Sequence, residues 1–236
     1  MLALTLENLS KTPEADKLDV RIFLDHSPEK KLEETEYVRD KYFPAAEIFR
    51  AHIHVIAPSG SWNILGALKS GYETGSPYIF LVEEDVLIRP EFFQRHLEMQ
   101  NSGDYFVTCG RRCGRMPLDF YSNPGSCYKR EKLGLVVPHI CMSYFANQAA
   151  YVEKHFPGMD DAGVLDDGLI RRVMRSAGGK AIVAEPRICS HIGWHYYGRL
   201  EPWIVKGTIE ERIEQLRKML PTVDPNGRYS RDFEVY

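Results

Sequence analysis

The chain has 236 residues, 44% of them hydrophobic, and a formal net charge of −3. That is enough apolar material for a full core, and the near-balanced charge excludes a chain given over to coating nucleic acid. No apolar run reaches the roughly 20 residues that cross a bilayer, no secretory signal is visible, and the five cysteines are an odd number, so reduced thiols, a cytoplasmic location and no transmembrane segment are expected.

Residues 1–10 carry Leu2, Leu6 and Leu9 at helical spacing. Val20 to Leu24 read as a strand, followed by Asp25-His26-Ser27. Residues 29–42 are charged and helical in character. His52 to Ile56 read as a second strand, and Asn63 to Tyr72 as a helix. Tyr78 to Val82 are apolar or aromatic with β propensity, the pattern of a strand buried on both faces. The run ends abruptly in Glu83, Glu84 and Asp85 before apolar residues resume at Val86 to Ile88. Clustered acids at a strand end place negative charge where open α/β sheets bind ligands. Such acids repel one another unless a cation sits among them, and oxygen donors suit Mg²⁺ or Mn²⁺ better than zinc. A strand end with solvated acids is the plainer reading of the same residues.

A helix over 90–100 and a strand over 104–109 follow. The stretch 110–135 reads as an irregular loop, basic through Arg111, Arg112, Arg115, Lys129, Arg130 and Lys132, with Phe120, Tyr121 and Tyr128 interleaved. Such a loop can grip phosphates and stack on bases or sugars; it can equally be a solvated excursion. Cys109, Cys113, Cys127 and Cys141 lie nearby without the paired Cys-x-x-Cys spacing of a zinc knuckle. Leu165 to Arg172 begin another helix with Asp166 and Asp167 at its start, where the helix dipole favours acids and where Asp166 could serve as a cap. Residues 180–184 are a strand. Pro186 to Ser190 then lead to a loop holding His191, His195, Tyr196, Tyr197 and Arg199. Residues 208–220 form an amphipathic helix, with Thr208 and Glu211 as a capping box and Ile209, Ile213, Leu216 and Leu220 as its apolar stripe. The tail 221–236 is polar. Strand and helix alternate, so an α/β fold with a largely parallel sheet is expected. No linker or internal repeat divides the chain.

The helix, the run YIFLVEEDV and the following PEFF resemble the metal-binding Asp-x-Asp region of GT-A glycosyltransferases. Asp-Asp-x-Leu-x-Arg at 166–171 resembles the acceptor-site motif of the inverting members, and 191–199 resembles their C-terminal loop. The resemblance covers roughly residues 1–200 in motif order. It implies a GT-A (Rossmann-like) mixed, mostly parallel sheet flanked by helices. Residues 1–207 would be the catalytic domain and 208–236 a helix and tail packed on it. Asp85 would bind a divalent cation with Glu83, and His191 or His195 would complete the coordination. Asp25, Glu84, Tyr197 and Arg199 would contact a nucleoside-diphosphate sugar, with a UDP-sugar expected. Asp167, or Asp166, would be the base that activates a hydroxyl acceptor in an inverting transfer. That acceptor would be a saccharide, or a hydroxymethylated base in DNA held through the basic loop 111–132. The sequence departs from the family at Glu83, where an Asp is usual, and in its first element: MLALTLENL matches the family's first helix, and the strand that should precede it is absent. A non-catalytic nucleotide-sugar-binding protein and a metal-dependent nucleotidyltransferase are the alternative readings.

Overall fold

The structure is a computed structural model and describes residues 1–24, 29–50, 60–111, 125–140, 154, 165–191 and 207–219. Seven α-helices are described: α1 (Leu2–Ser10), α2 (Glu29–Tyr42), α3 (Gly60–Glu73), α4 (Phe92–Asn101), α5 (Arg130–Val136), α6 (Leu165–Ser176) and α7 (Ile209–Met219). The strands are β1 (Arg21–Leu24), β2 (Glu47–Arg50), β3 (Tyr78–Leu81), β4 (Val86–Ile88), β5 (Val107–Cys109), β6 (Ser126–Lys129), β7 (Ala181–Val183) and β8 (Cys189–His191).

The fold is mixed α/β in three layers. Strand alternation assigns the layers. Along β3, Ile79 and Leu81 enter a core built with Leu65 and Leu68 of α3, Leu133 and Val136 of α5, and Leu169, Ile170, Val173 and Met174 of α6. Phe80 and Val82 point the other way, into a core shared with α1, α2, α4 and α7. There the Phe80 ring meets Phe93 edge-on at 4.9 Å, a favoured aromatic geometry.

The strands form three small sheets. β1 pairs with β2 in parallel, and β4 pairs with β8 antiparallel. The largest sheet has the order β3-β6-β5-β7, in which β6 runs antiparallel to both neighbours and β5 runs parallel to β7. The expected largely parallel sheet is therefore a mixed one, because β6 inserts between two co-directional strands. β3, β5 and β7 all point the same way.

Helix α3 relates β1 to this sheet. Asn63 Nδ2 donates to the Phe23 carbonyl at 3.4 Å, and Arg21 Nη1 donates to Ser70 Oγ at 2.9 Å. As α3 advances, β1 recedes, so the two are antiparallel. The far end of α3 abuts the first half of β3: a Cβ on Gly71 would lie 2.7 Å from Ile79 Cγ2, so only glycine allows this approach. β1 and β3 thus run in the same direction against one helix, yet among the described residues β1 pairs with β2 and β3 with β6.

Two local expectations change, and one falls outside the described residues. The strand expected at 52–56 lies outside the described residues, and the strand observed is β2, at Glu47–Arg50. The expected loop over 110–135 ends at Ser126, where β6 begins, and α5 follows without a break. Four residues flanked by partners on both sides need no long apolar run of their own, which is why SCYK was not legible as a strand. Likewise the loop expected after residue 186 contains β8. The capping box stands as expected: the Thr208 amide donates to Glu211 Oε2 at 2.8 Å, and the Glu211 amide to Thr208 Oγ1 at 3.2 Å. Ile213 and Leu216 of α7 are buried against the body of the chain. No described helix is long and apolar enough to cross a membrane.

Candidate functional site

The candidate site lies at the carboxyl edge of the sheet, where β3 passes into Glu83-Glu84-Asp85. The backbone closes a tight turn there, with the Val86 amide donating to the Glu83 carbonyl at 3.1 Å. The turn gives the three acids different surroundings. Glu84 is exposed, Glu83 half-buried, and Asp85 only 3% exposed. A carboxylate withdrawn this far from water sits in surroundings unlike those of the solvated acids of a plain strand end.

Helix α1 covers the turn. Thr5 Oγ1 donates to the Glu84 carbonyl at 2.7 Å, and the Ile88 amide donates to Asn8 Oδ1 at 2.6 Å. The start of α1 faces the acids. Burial holds the Met1 amino group below its ordinary value, Glu84 and Asp85 pull it up, and Lys31 and Arg212 push it down.

Strand β8 returns to this turn from the far end of the chain. In its register with β4, His191 stands opposite Val86, the residue after Asp85. The Arg89 amide extends the ladder by donating to the Ile188 carbonyl at 2.9 Å. The sequence thus predicts two separate pieces, acids and histidine, which the backbone brings side by side. Immediately behind them sits Cys189, its thiol pushed up to about 12. Burial is the main cause; the guanidiniums of Arg111 and Arg187 pull it down, and Cys109 and the Glu83 carboxylate push it up. Those two arginines and Glu83 therefore share one electrostatic neighbourhood.

Helix α6 is directed with its first turn toward the carboxyl ends of the strands. α6 ends at Ser176 and β7 starts at Ala181, joined by a short connection in which the Phe106 amide holds the Lys180 carbonyl at 2.8 Å. So short a link makes α6 antiparallel to β7, and the start of α6 lies toward the carboxyl ends of the strands. Asp166 and Asp167 occupy the first turn of α6, inside the helix and not ahead of it as a cap. The side chains of Asp166, Asp167 and His191 lie outside the described residues, as do Asp25, His195, Tyr197 and Arg199 altogether.

The basic loop is corrected in its later part, from Ser126 onward. Tyr128 is fully buried in the core. Arg130 stacks 4.4 Å over the Tyr72 ring and donates to the Tyr72 carbonyl at 3.0 Å, and Lys132 pairs with Asp104 at 2.8 Å. These residues serve the fold and are not part of an open phosphate-gripping loop. Residues 112–124 lie outside the described residues.

Sequence reasoning missed Thr5 and Asn8. Their signal was present: Thr5 interrupts the apolar stripe of Leu2, Leu6 and Leu9, and a buried polar side chain on such a stripe has a partner to find. It also missed the buried pair His96 and Thr108, joined at 2.6 Å, which sits beneath the same edge. Among the described residues, no three His, Cys, Asp or Glu side chains form a metal-holding group. Glu83 and Asp85 are the carboxylates at this edge that could hold a metal, and oxygen donors suit a hard divalent cation.

The sequence matches no protein-family profile, and no curated protein matches it at a significant level.

Proposed function

We propose that the chain is a metal-dependent glycosyltransferase that moves a sugar from a nucleoside-diphosphate donor to a hydroxyl acceptor, with a GT-A arrangement of its catalytic parts. One observation carries the reading: the β4–β8 pairing sets His191 opposite Val86, beside the Glu83-Glu84-Asp85 turn. Two further features support it. The first turn of α6, with Asp166 and Asp167, lies toward the same sheet edge. β1 and β3 are co-directional beneath α3, as in a sheet whose strands alternate with helices.

In this reading, Asp85 and Glu83 hold Mn²⁺ or Mg²⁺, with His191 completing the set. Bound there, the cation supplies positive charge to the diphosphate as it departs. Asp167, with Asp166 as the alternative, takes the proton of the acceptor hydroxyl. The positive end of the α6 dipole favours the ionised carboxylate that a base requires at neutral pH. Saccharides are the acceptor class that this reading favours, since Arg130 and Lys132, two of the cations of the loop 111–132 expected to hold DNA, are engaged within the fold.

The test is release of nucleoside diphosphate from a panel of nucleotide-sugars with Mn²⁺, comparing the wild type with Asp85→Ala. Release from one donor, lowered about 100-fold or more in the variant, is expected. Equal release by both proteins, or silence across the panel, overturns the assignment and leaves a binding protein without transfer.

A further inference from the structure

We infer that Thr5 and Asn8 of α1 are positioning residues for the acidic turn, setting where its carboxylates stand and hence how tightly they hold a divalent cation. The inference rests on the metal-binding reading of Glu83 and Asp85. It goes further by assigning cation affinity to a helix that contributes no carboxylate to the turn.

The geometry is a two-point clamp. Thr5 and Asn8 are one helical turn apart and share a face. Thr5 grips the backbone on one side of Asp85, at the Glu84 carbonyl, and Asn8 grips it on the other, at the Ile88 amide. Each bond joins residues about eighty apart in sequence, so neither is incidental to local chain geometry. Thr5 is 2% exposed and its bond is short, whereas a threonine on an apolar stripe would be replaced by a hydrophobe if only packing mattered. The two bonds tie down the backbone on either side of Asp85, which is 3% exposed.

The clamp is itself held from behind. Leu4, Leu6 and Leu9 bury α1 in the core. Glu7 binds Lys11 at 2.7 Å and also binds Arg217 of α7. Burial raises the Glu7 carboxyl, but these two cations outweigh it and hold the group below its usual range. α1 is therefore a fixed platform, and its grip is transmitted to the turn. Groups that orient metal ligands without touching the metal typically govern 10–100-fold in affinity.

The experiment is Mn²⁺ titration of the full chain by calorimetry, with no donor present. Thr5→Val keeps the shape and removes the hydroxyl, and it is expected to weaken Mn²⁺ about tenfold. Thr5→Ser restores the donor and is expected to restore the affinity, a rescue that a purely structural role would not require. Asn8→Ala makes the same test from the other end, at a half-buried position where folding is better tolerated if Thr5→Val does not fold. Folded Thr5→Val or Asn8→Ala protein that binds Mn²⁺ like the wild type overturns the clamp while leaving the metal reading intact. Wild-type protein that binds no Mn²⁺ overturns the metal reading and the clamp with it.

Discussion

His96 makes the stability of this protein acid-sensitive well above the carboxylate range. The residue is fully buried on α4, with its ring 4.5 Å from Phe92 and 5.9 Å from Phe80. Its Nδ1 meets Thr108 Oγ1 at 2.6 Å. Burial lowers its pKa from 6.5 to about 3, opposed only weakly by the Gly125 carbonyl. The folded state therefore keeps the ring neutral where the unfolded chain takes up a proton. Stability from this group is complete above pH 6.5 and is lost as the pH falls from 6.5 toward 3. At about 1.4 kcal/mol per unit, the full loss approaches 5 kcal/mol, and about 2 kcal/mol is gone by pH 5. Urea unfolding at pH 8 and pH 5 measures it, with His96→Asn as the reference in which this linkage is absent and other titrating groups remain. The wild type should lose about 2 kcal/mol more than the variant between the two pH values. Parallel losses in the two proteins would refute the argument, because burial of a neutral imidazole would then not be setting the slope.

Three further outcomes follow from the same packing. Gly125 has φ +66°, and a Cβ there would lie 2.6 Å from Cys189 Sγ, so Gly125→Ala should cost about 2–4 kcal/mol in urea unfolding; a loss below 1 kcal/mol would mean that this corner yields easily. Cys189, pushed up to about 12, is roughly one part in ten thousand thiolate at pH 8, so mass spectrometry after brief alkylation should find it unmodified until the protein is unfolded, and prompt labelling would contradict its burial. α7 is docked chiefly by Ile213 and Leu216, each worth about 1.5–3 kcal/mol, and not by the Arg217–Glu7 or Arg212–Glu34 pairs, where roughly 0–1 kcal/mol each is expected; Ile213→Ala should therefore speed amide exchange in α7 far more than Arg217→Ala does, and the reverse order would show that charge holds the helix.

Elements whose signal lies within one run of residues were legible in the sequence. The strand at Tyr78–Leu81 and the helices at 29–42, 63–72, 90–100 and 208–220 each carry their own periodicity, and α7 also carries its capping box. Elements whose reason for existing lies elsewhere were not. β6 is a strand because β3 and β5 offer hydrogen bonds on both sides, and Ser126 and Cys127 have no strong preference of their own. β8 is a strand because β4, after the acidic turn, offers it hydrogen bonds. β2 was not legible, since Glu47-Ile48-Phe49-Arg50 begins and ends on charge; the strand expected at His52–Ile56 lies outside the described residues.

The candidate site divides along the same line. Composition could single out Glu83, Glu84 and Asp85, because three acids closing an apolar strand are locally anomalous. It could not tell them apart. The difference is made by α1, which lies over the turn and leaves Asp85 buried and Glu84 in water. That asymmetry depends on two hydrogen bonds between segments remote in sequence, and no window along the chain contains both partners. The later part of the basic loop was misread for the converse reason. Arg130 and Lys132 were grouped by proximity in sequence, whereas one stacks on Tyr72 and the other pairs with Asp104. A cation held by a ring and a carbonyl is already half desolvated, so recruiting it to a phosphate would expose the Tyr72 contact it now covers. Charge counted along a chain overstates what a surface can offer, and burial counted in space identifies Asp85 as the acid on which the edge is built.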